Sequence, residues 1–270
     1  MIKDSLGDRM KNYYESASQI KLTRRTPVAI RLDGRAAHTF TRGFKKPFDM
    51  VFAFSMRDTM LYLCENIQGC KFGYTQSDEI TLILTDYDTL ETSAFFDYNV
   101  QKLTSVTASM AAFAFNKAFA RHIQEYIKSR SETSLPSIED VELIENYTKS
   151  LDRGLVFDAR CFNIPKEEVG NLIYWRQLDA IRNSIQMVAR CNFSDKELQG
   201  KSCEEMKEML KSVSRPWDSY LLDLRRGAAC YKVFDYSNMY RRSWKLDCNM
   251  PIIKDEWEYI NKHLGAERNV

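Results

Sequence analysis

Histidine is scarce in this 270-residue chain: there are three, His38, His122 and His263. That leaves histidine-rich metal chemistry little to build on. The seven cysteines, at 64, 70, 161, 191, 203, 230 and 248, are scattered. None stands in a CxxC pair, which argues against a structural zinc site. Their odd number and the absence of a signal-peptide pattern lead to the expectation of a reducing cytoplasm. No apolar run is long enough to span a bilayer. Charge of one sign is missing too: 39 Lys and Arg stand against 37 Asp and Glu, a net +2. Any polyanion must therefore be bound by local patches. Arg24-Arg25, Lys45-Lys46, Arg225-Arg226 and Arg241-Arg242 are the candidates. No internal repeat or low-complexity tract is present.

What is there begins with a hydrophobic fraction of 44%, enough for a sizeable core in one large domain or two small ones. Two short segments then carry carboxylates beside apolar runs: Arg31-Leu32-Asp33-Gly34-Arg35 and Gln76-Ser77-Asp78-Glu79. Val28, Ile30 and Leu32 alternate, so Arg31 and Asp33 share the opposite face of a strand. Phe72 and Tyr74, with Ile80, Leu82 and Leu84 beyond, predict a hairpin turning near Ser77-Asp78. Pairing these strands brings Asp33 and Asp78 together. Adjacent carboxylates repel and are costly to ionise unless a cation holds them. Mg²⁺ takes oxygen ligands, usually one or two carboxylates plus substrate phosphates. Two such ions can clamp the attacking and leaving oxygens of a phosphoryl transfer. An Asp at a strand end or an Asp-Glu pair in a hairpin is also an ordinary solvated turn, so spacing leaves both readings open.

The polar first 25 residues read as helical, ending at Arg24-Arg25. Met50 to Cys64 reads as a mostly apolar helix and Val100 to Ile127 as a long one, with Leu103, Val106, Met110 and Phe113 at helical spacing. A strand follows near Leu155–Phe162. The order fits a ferredoxin-like α+β antiparallel sheet with helices packed on one face. Residues 129–152, polar and acidic, read as an inserted segment or mobile connection. Pro165 opens a helix running through Trp175 to about Ala189. Ser194-x-x-Glu197 and Ser202-x-x-Glu205 read as capping boxes of two short helices. Ala228 to Phe234 reads as a strand, and a polar, aromatic stretch follows Tyr236.

An ordered set of motifs across residues 28–235 resembles the tRNA-His guanylyltransferase superfamily, the reverse (3′-to-5′) nucleotide polymerases. Its pieces are Arg31 to Arg35 with His38 and Phe40, Phe44-Lys45-Lys46-Pro47 with Asp49, and Tyr74 to Glu79. Then come Phe157-Asp158-Ala159-Arg160, Trp175-Arg176-Gln177-Leu178-Asp179 with Asn183, Leu198-Gln199-Gly200, and Arg225-Arg226-Gly227. The resemblance implies a polymerase-palm core over about 26–165, a helical and strand extension over 166–235, and a tail over 236–270, all one catalytic domain. It implies two Mg²⁺ ions held by Asp33, Asp78 and the Gly34 carbonyl, with Glu79 supporting the catalytic pair. Nucleotide binding would fall to Asp33, Gly34, Arg35, Ala36, Ala37, His38, Lys46, Ser77, Asp78, Lys102 and Asn183. Substrates would be ATP, GTP or another NTP, and tRNA; a homotetramer is expected.

Asp179 and Asn183 lie four apart and share a helix face. The resemblance implies that this face helps present the RNA 5′ end or the activating nucleotide; Arg176 and Asp179 read equally as a simple surface pair of little worth, and Trp175 reads more readily as core than as a stacking platform. In this helix the dedicated eukaryotic enzymes carry His-Ile-Asn-Asn, whereas this chain has Ile181-Arg182-Asn183-Ser184. That departure resembles the bacterial and archaeal branch, associated with template-directed repair of tRNA 5′ ends. The rival expectations are a dedicated tRNA-His guanylyltransferase, a palm-fold nucleotidyl cyclase and a non-enzymatic RNA-binding module.

Overall fold

The computed structural model describes residues 5–133, 137–235 and 241–265. Six strands form one antiparallel sheet in the order β4-β1-β3-β2-β5-β6. They are β1 Val28–Gly34, β2 Cys70–Gln76, β3 Glu79–Leu84, β4 Phe157–Asn163, β5 Ala228–Asp235 and β6 Arg241–Asp247. The major helices are α1 Met50–Asn66, α2 Val100–Thr133, α3 Ile138–Arg153, α4 Val169–Arg190 and α5 Cys203–Ser212. The mixed α+β class is as expected, and the hairpin turns at Ser77-Asp78. None of the described helices is long and apolar enough to cross a membrane.

Alternation along the strands dictates two cores. Val28, Ile30, Leu32, Ile80, Leu82 and Leu84 point to one side and bury with α1 and α2. Ala29, Phe72, Tyr74, Ile83, Ala229 and Tyr231 point to the other and bury with Val169, Leu172 and Ile173 of α4. Both faces are therefore covered, not one. The stretch after Tyr236, expected as a tail, also contributes to the sheet and the core. Its described part supplies β6 and buries Met250, Ile253, Tyr259, Ile260 and Leu264 against the α4 side. Irregular spacing of its apolar residues hides this role in the sequence.

Residues 129–152 are likewise structured where described. Residues up to 133 extend α2, and Ser137 caps α3 with a capping box closed by Asp140. Leu143 and Tyr147 are buried. From α3, Tyr147 donates to Asp49 Oδ2 at 2.6 Å, Ser150 to the Phe40 carbonyl at 2.6 Å, and Asn146 Nδ2 to the Gly43 carbonyl at 3.3 Å. The helix thus braces the 40–49 loop, and Asp49 in turn caps α1 by accepting from the Phe52 N–H. At the other end of the chain, helical turns run only over 5–18 and bury nothing. Arg24 is not a free basic group: it pairs with buried Asp86 at 2.5 Å and with Asp97 at 3.1 Å.

Candidate active site

Three strands meet where β1 ends. Asp33 stands opposite Glu79 of β3 and Asp158 of β4, a row of carboxylates on the α4 face. Main chain fastens the row to the hairpin turn, because the Gly34 N–H donates to the Asp78 carbonyl at 3.0 Å. Closeness favours Gly34: a Cβ there would lie 3.2 Å from Asp78 Cβ and 3.3 Å from Leu155 Cδ2. The close neighbour is thus the Asp78 turn. Ser77 holds that turn with φ of 50° and donates to Asp78 Oδ1 at 2.9 Å.

Charge separates the carboxylates. Glu79 pairs with buried Arg176 of α4 and accepts from Gln76 Nε2 at 3.1 Å. Arg176 also reaches Asp179 at 2.9 Å, and Asp179 pairs with Arg182. The Arg176 and Asp179 pair is therefore part of a network with a buried guanidinium, not a loose surface contact. Among the described residues neither Asp33 nor Asp78 has an ion-pair partner, and the Arg160 and Arg31 charges only partly offset the repulsion at Asp33. Desolvation, then the Asp78 and Asp158 charges, push the Asp33 carboxyl above its usual range. Desolvation likewise raises Asp78, with the Ser77 hydrogen bond opposing it.

A cation suits this donor set. Among the described residues no group of three or more His, Cys, Asp or Glu side chains could hold a metal ion. An ion at Asp33 and Asp78 would complete its shell with the Gly34 carbonyl, water and phosphate oxygens, as Mg²⁺ does.

Beside the turn lies a cleft of about 870 Å³, solvent at its mouth included. Phe48, Phe52, Met56 and Met187 give it an apolar lining, while Lys46, Ser77 and Asn183 supply polar groups. Three of the expected nucleotide residues are thereby brought together, and Ser77 joins the cleft to the acidic pair. Arg35, Ala36, Ala37 and His38 follow β1 at the same end of the sheet. There the Arg35 N–H donates to the Val156 carbonyl at 2.9 Å and Ala36 adopts φ of 54°. Lys102 is not brought to this group. Its ammonium sits over Phe96, near the start of α2. Asn116, which binds the Leu155 main chain at the site end, lies about 21 Å further along that helix.

Two features were not expected from the sequence. Arg57 and Asp223 form a buried ion pair in the cleft wall. The one sequence cue was a lone arginine in a mostly apolar helix. Trp175 is 52% exposed instead of core.

A family model described as tRNAHis guanylyltransferase (Thg1) matches residues 7–165. The chain belongs to that family. Members of the Thg1 family are tRNA guanylyltransferases, nucleotidyltransferase enzymes. An uncharacterised protein of Acanthamoeba polyphaga mimivirus is 30% identical over 221 residues, 78% of this chain and 71% of its own. A bacterial Thg1-like protein solved in complex with ATP is 36% identical with a TM-score of 0.77, over 96% of this chain and 99% of the other. Its complex with GTP gives 36% and 0.76, over 97% and 99%. The tRNA(His) guanylyltransferase of Saccharomyces cerevisiae shares the Thg1 fold at 18% identity, with a TM-score of 0.60 over 92% and 98%.

Proposed function

We propose that this enzyme is an Mg²⁺-dependent 3′-5′ nucleotidyltransferase that restores missing nucleotides at tRNA 5′ ends, directed by the facing strand. The observation that carries the reading is the strand-end pair Asp33 and Asp78, tied by Gly34 and opening beside a cleft with Lys46, Ser77 and Asn183. ATP and GTP, with which the bacterial relative was solved, are the substrates expected in that cleft.

Asp33, Asp78 and the Gly34 carbonyl would hold the ions, and Glu79, neutralised by Arg176, supports the row without competing for them. When bound, Mg²⁺ supplies acidification of a hydroxyl and neutralisation of a leaving phosphate. Lys46 adds a point charge for the triphosphate, and Asn183 and Ser77 supply hydrogen bonds. In the reaction the 3′-oxygen of the incoming nucleotide bonds to the activated 5′ phosphorus. The bond from that phosphorus to AMP or pyrophosphate breaks, and the hydroxyl proton passes to solvent. Positioning and charge neutralisation suffice, with no covalent enzyme nucleophile.

Template direction is supported by Ile181, which packs against the apolar cluster of Ile185 and Leu198. That position offers no hydrogen bond with which to select guanine, so selection falls to pairing with the opposite strand. The test supplies tRNA lacking its first nucleotide, all four NTPs and Mg²⁺, varying facing base and anticodon independently. The added nucleotide should follow the facing base on several tRNAs. Guanylate added regardless of that base, and only with the His anticodon, would replace this reading with dedicated tRNA-His guanylyltransfer.

A further inference from the structure

Trp175 is the one large aromatic of α4 that stands more than half exposed. The Arg31 guanidinium carbon lies 5.7 Å from its ring centroid and that of Arg176 lies 4.6 Å away. Arg176 is buried and Arg31 half-buried, so both cations approach from the protein side and the outer part of the indole faces solvent. Leu178, also exposed, continues the apolar surface. Arg31 precedes Asp33 by two residues on the same strand face, a separation of about 7 Å. Its register partner on β4 is Arg160, and Arg160 pairs with Asp158 at 3.2 Å. Arg31 Nε is buried with no hydrogen-bond partner among the described residues. An aromatic ring and an arginine short of a hydrogen-bond partner therefore stand together beside the middle of the carboxylate row, two residues down β1 from Asp33. The nucleotide cleft opens at the Glu79 end of that row, beyond Gln76.

Packing alone does not account for this arrangement. Indole exposed to water gains little from burial, whereas a nucleobase laid on it gains stacking that does not depend on which base it is. A nucleotide stacked there would carry its own phosphate toward Arg31, a fixed cation suited to phosphate oxygens, and from there toward Asp33.

We propose that Trp175 is the stacking platform for the terminal base of the acceptor RNA, with Arg31 taking that nucleotide's 5′ phosphate. The RNA end thus enters over α4 while the incoming nucleotide occupies the cleft. Trp175 is a positioning residue in this arrangement. The inference rests on the reading that a 5′-phosphorylated RNA end is the acceptor.

The probe is a tRNA acceptor-stem hairpin with a 5′ monophosphate, compared with the same hairpin made abasic at its first nucleotide. Trp175→Ala should weaken binding of the intact hairpin about 5- to 150-fold, the range one base–aromatic stack covers. ATP binding should stay unchanged and Trp175→Phe should retain most of the affinity. Wild-type protein should lose a similar factor on the abasic hairpin, and Trp175→Ala should then lose nothing more. Arg31→Ala should erase the preference for a 5′ phosphate over a 5′ hydroxyl. Wild-type protein with equal affinity for intact and abasic hairpins overturns the platform even if every variant fails to fold. So does additivity of the two losses. If base-dependent binding through Trp175 is found without nucleotide addition by the wild type, the platform stands and the proposed reaction falls.

Discussion

Asp33 and Asp78 ionise at a cost that the protein alone does not offset. Their folded-state carboxyls titrate above the usual range, so as pH rises the unfolded chain releases these protons first. Ionisation therefore works against folding: the penalty is absent below the unfolded value near 4 and complete above the raised folded values. Metal-free Asp33→Asn protein should melt at a higher temperature than wild type at neutral pH, with an advantage that shrinks as pH falls towards 4. Added Mg²⁺ should stabilise wild type and leave the variant nearly unmoved. Thermal scans over pH with and without the ion decide this, and a wild-type midpoint indifferent to Mg²⁺ would sink the metal assignment. Gly34→Ala tests the same site sterically. Its methyl meets the Asp78 and Leu155 side chains and should cost about 1–3 kcal/mol by denaturant titration, with nucleotide addition falling as the two carboxylates are forced apart. The nearness of Asp33 and Asp78 was legible because strand alternation and a turn signal are local, whereas Gly34 entered only with the family resemblance. The Arg57 and Asp223 pair was not, since nothing near either residue announces a partner so far along the chain. Trp175 misled for the opposite reason: apolar composition marks burial in general, and a working surface breaks that rule.

At the level of elements, α4 carries the counter-charge of the site. Arg176 is buried against Glu79, so Arg176→Ala leaves a carboxylate without its cation and should cost about 3–5 kcal/mol. Pairing it with Glu79→Gln should recover part of that loss, and a double-mutant cycle by urea unfolding gives the coupling. Additive losses would mean the two do not act as a pair. The brace from α3 is tested by Tyr147→Phe, which removes one donor from Asp49, itself 9% exposed. The expected loss is about 1–3 kcal/mol, and Lys46 should bind ATP less well as the loop slackens. An unchanged midpoint would return α3 to the status of an appendage. Helices at α1, α2 and α4 could be read from apolar spacing, and both short capping boxes appear where expected. α3 was missed because its buried face is narrow, Leu143, Tyr147 and Ser150, and its polar remainder resembles a linker.

Across the whole molecule, the C-terminal segment closes the second core. His263 stacks on Tyr231 at 4.1 Å between centroids, and burial depresses its pKa to about 4. The folded state thus refuses a proton that the unfolded chain accepts near 6.5, so stability contributed here is lost as pH falls from 6.5 towards 4. His263→Phe should flatten that part of the stability profile relative to wild type. Equal acid sensitivity of the two proteins would show that the ring is protonated in place. The six-strand order could not be read in advance. Each pairing partner of β5 is chosen by distant surface, and β6 lies where apolar residues are few.

The position of β1 between β3 and β4 also has a meaning in time. Synthesis runs from the N-terminus, so Asp33, Asp78 and Glu79 can meet as soon as the hairpin has emerged. Asp158 joins only after α2 and α3 have been made, and Arg176 is made later still. Between those two moments the growing chain holds its full row of carboxylates with no guanidinium from α4 beside it. The site's own charge thereby favours docking of α4 on this end of the sheet once Arg176 is available.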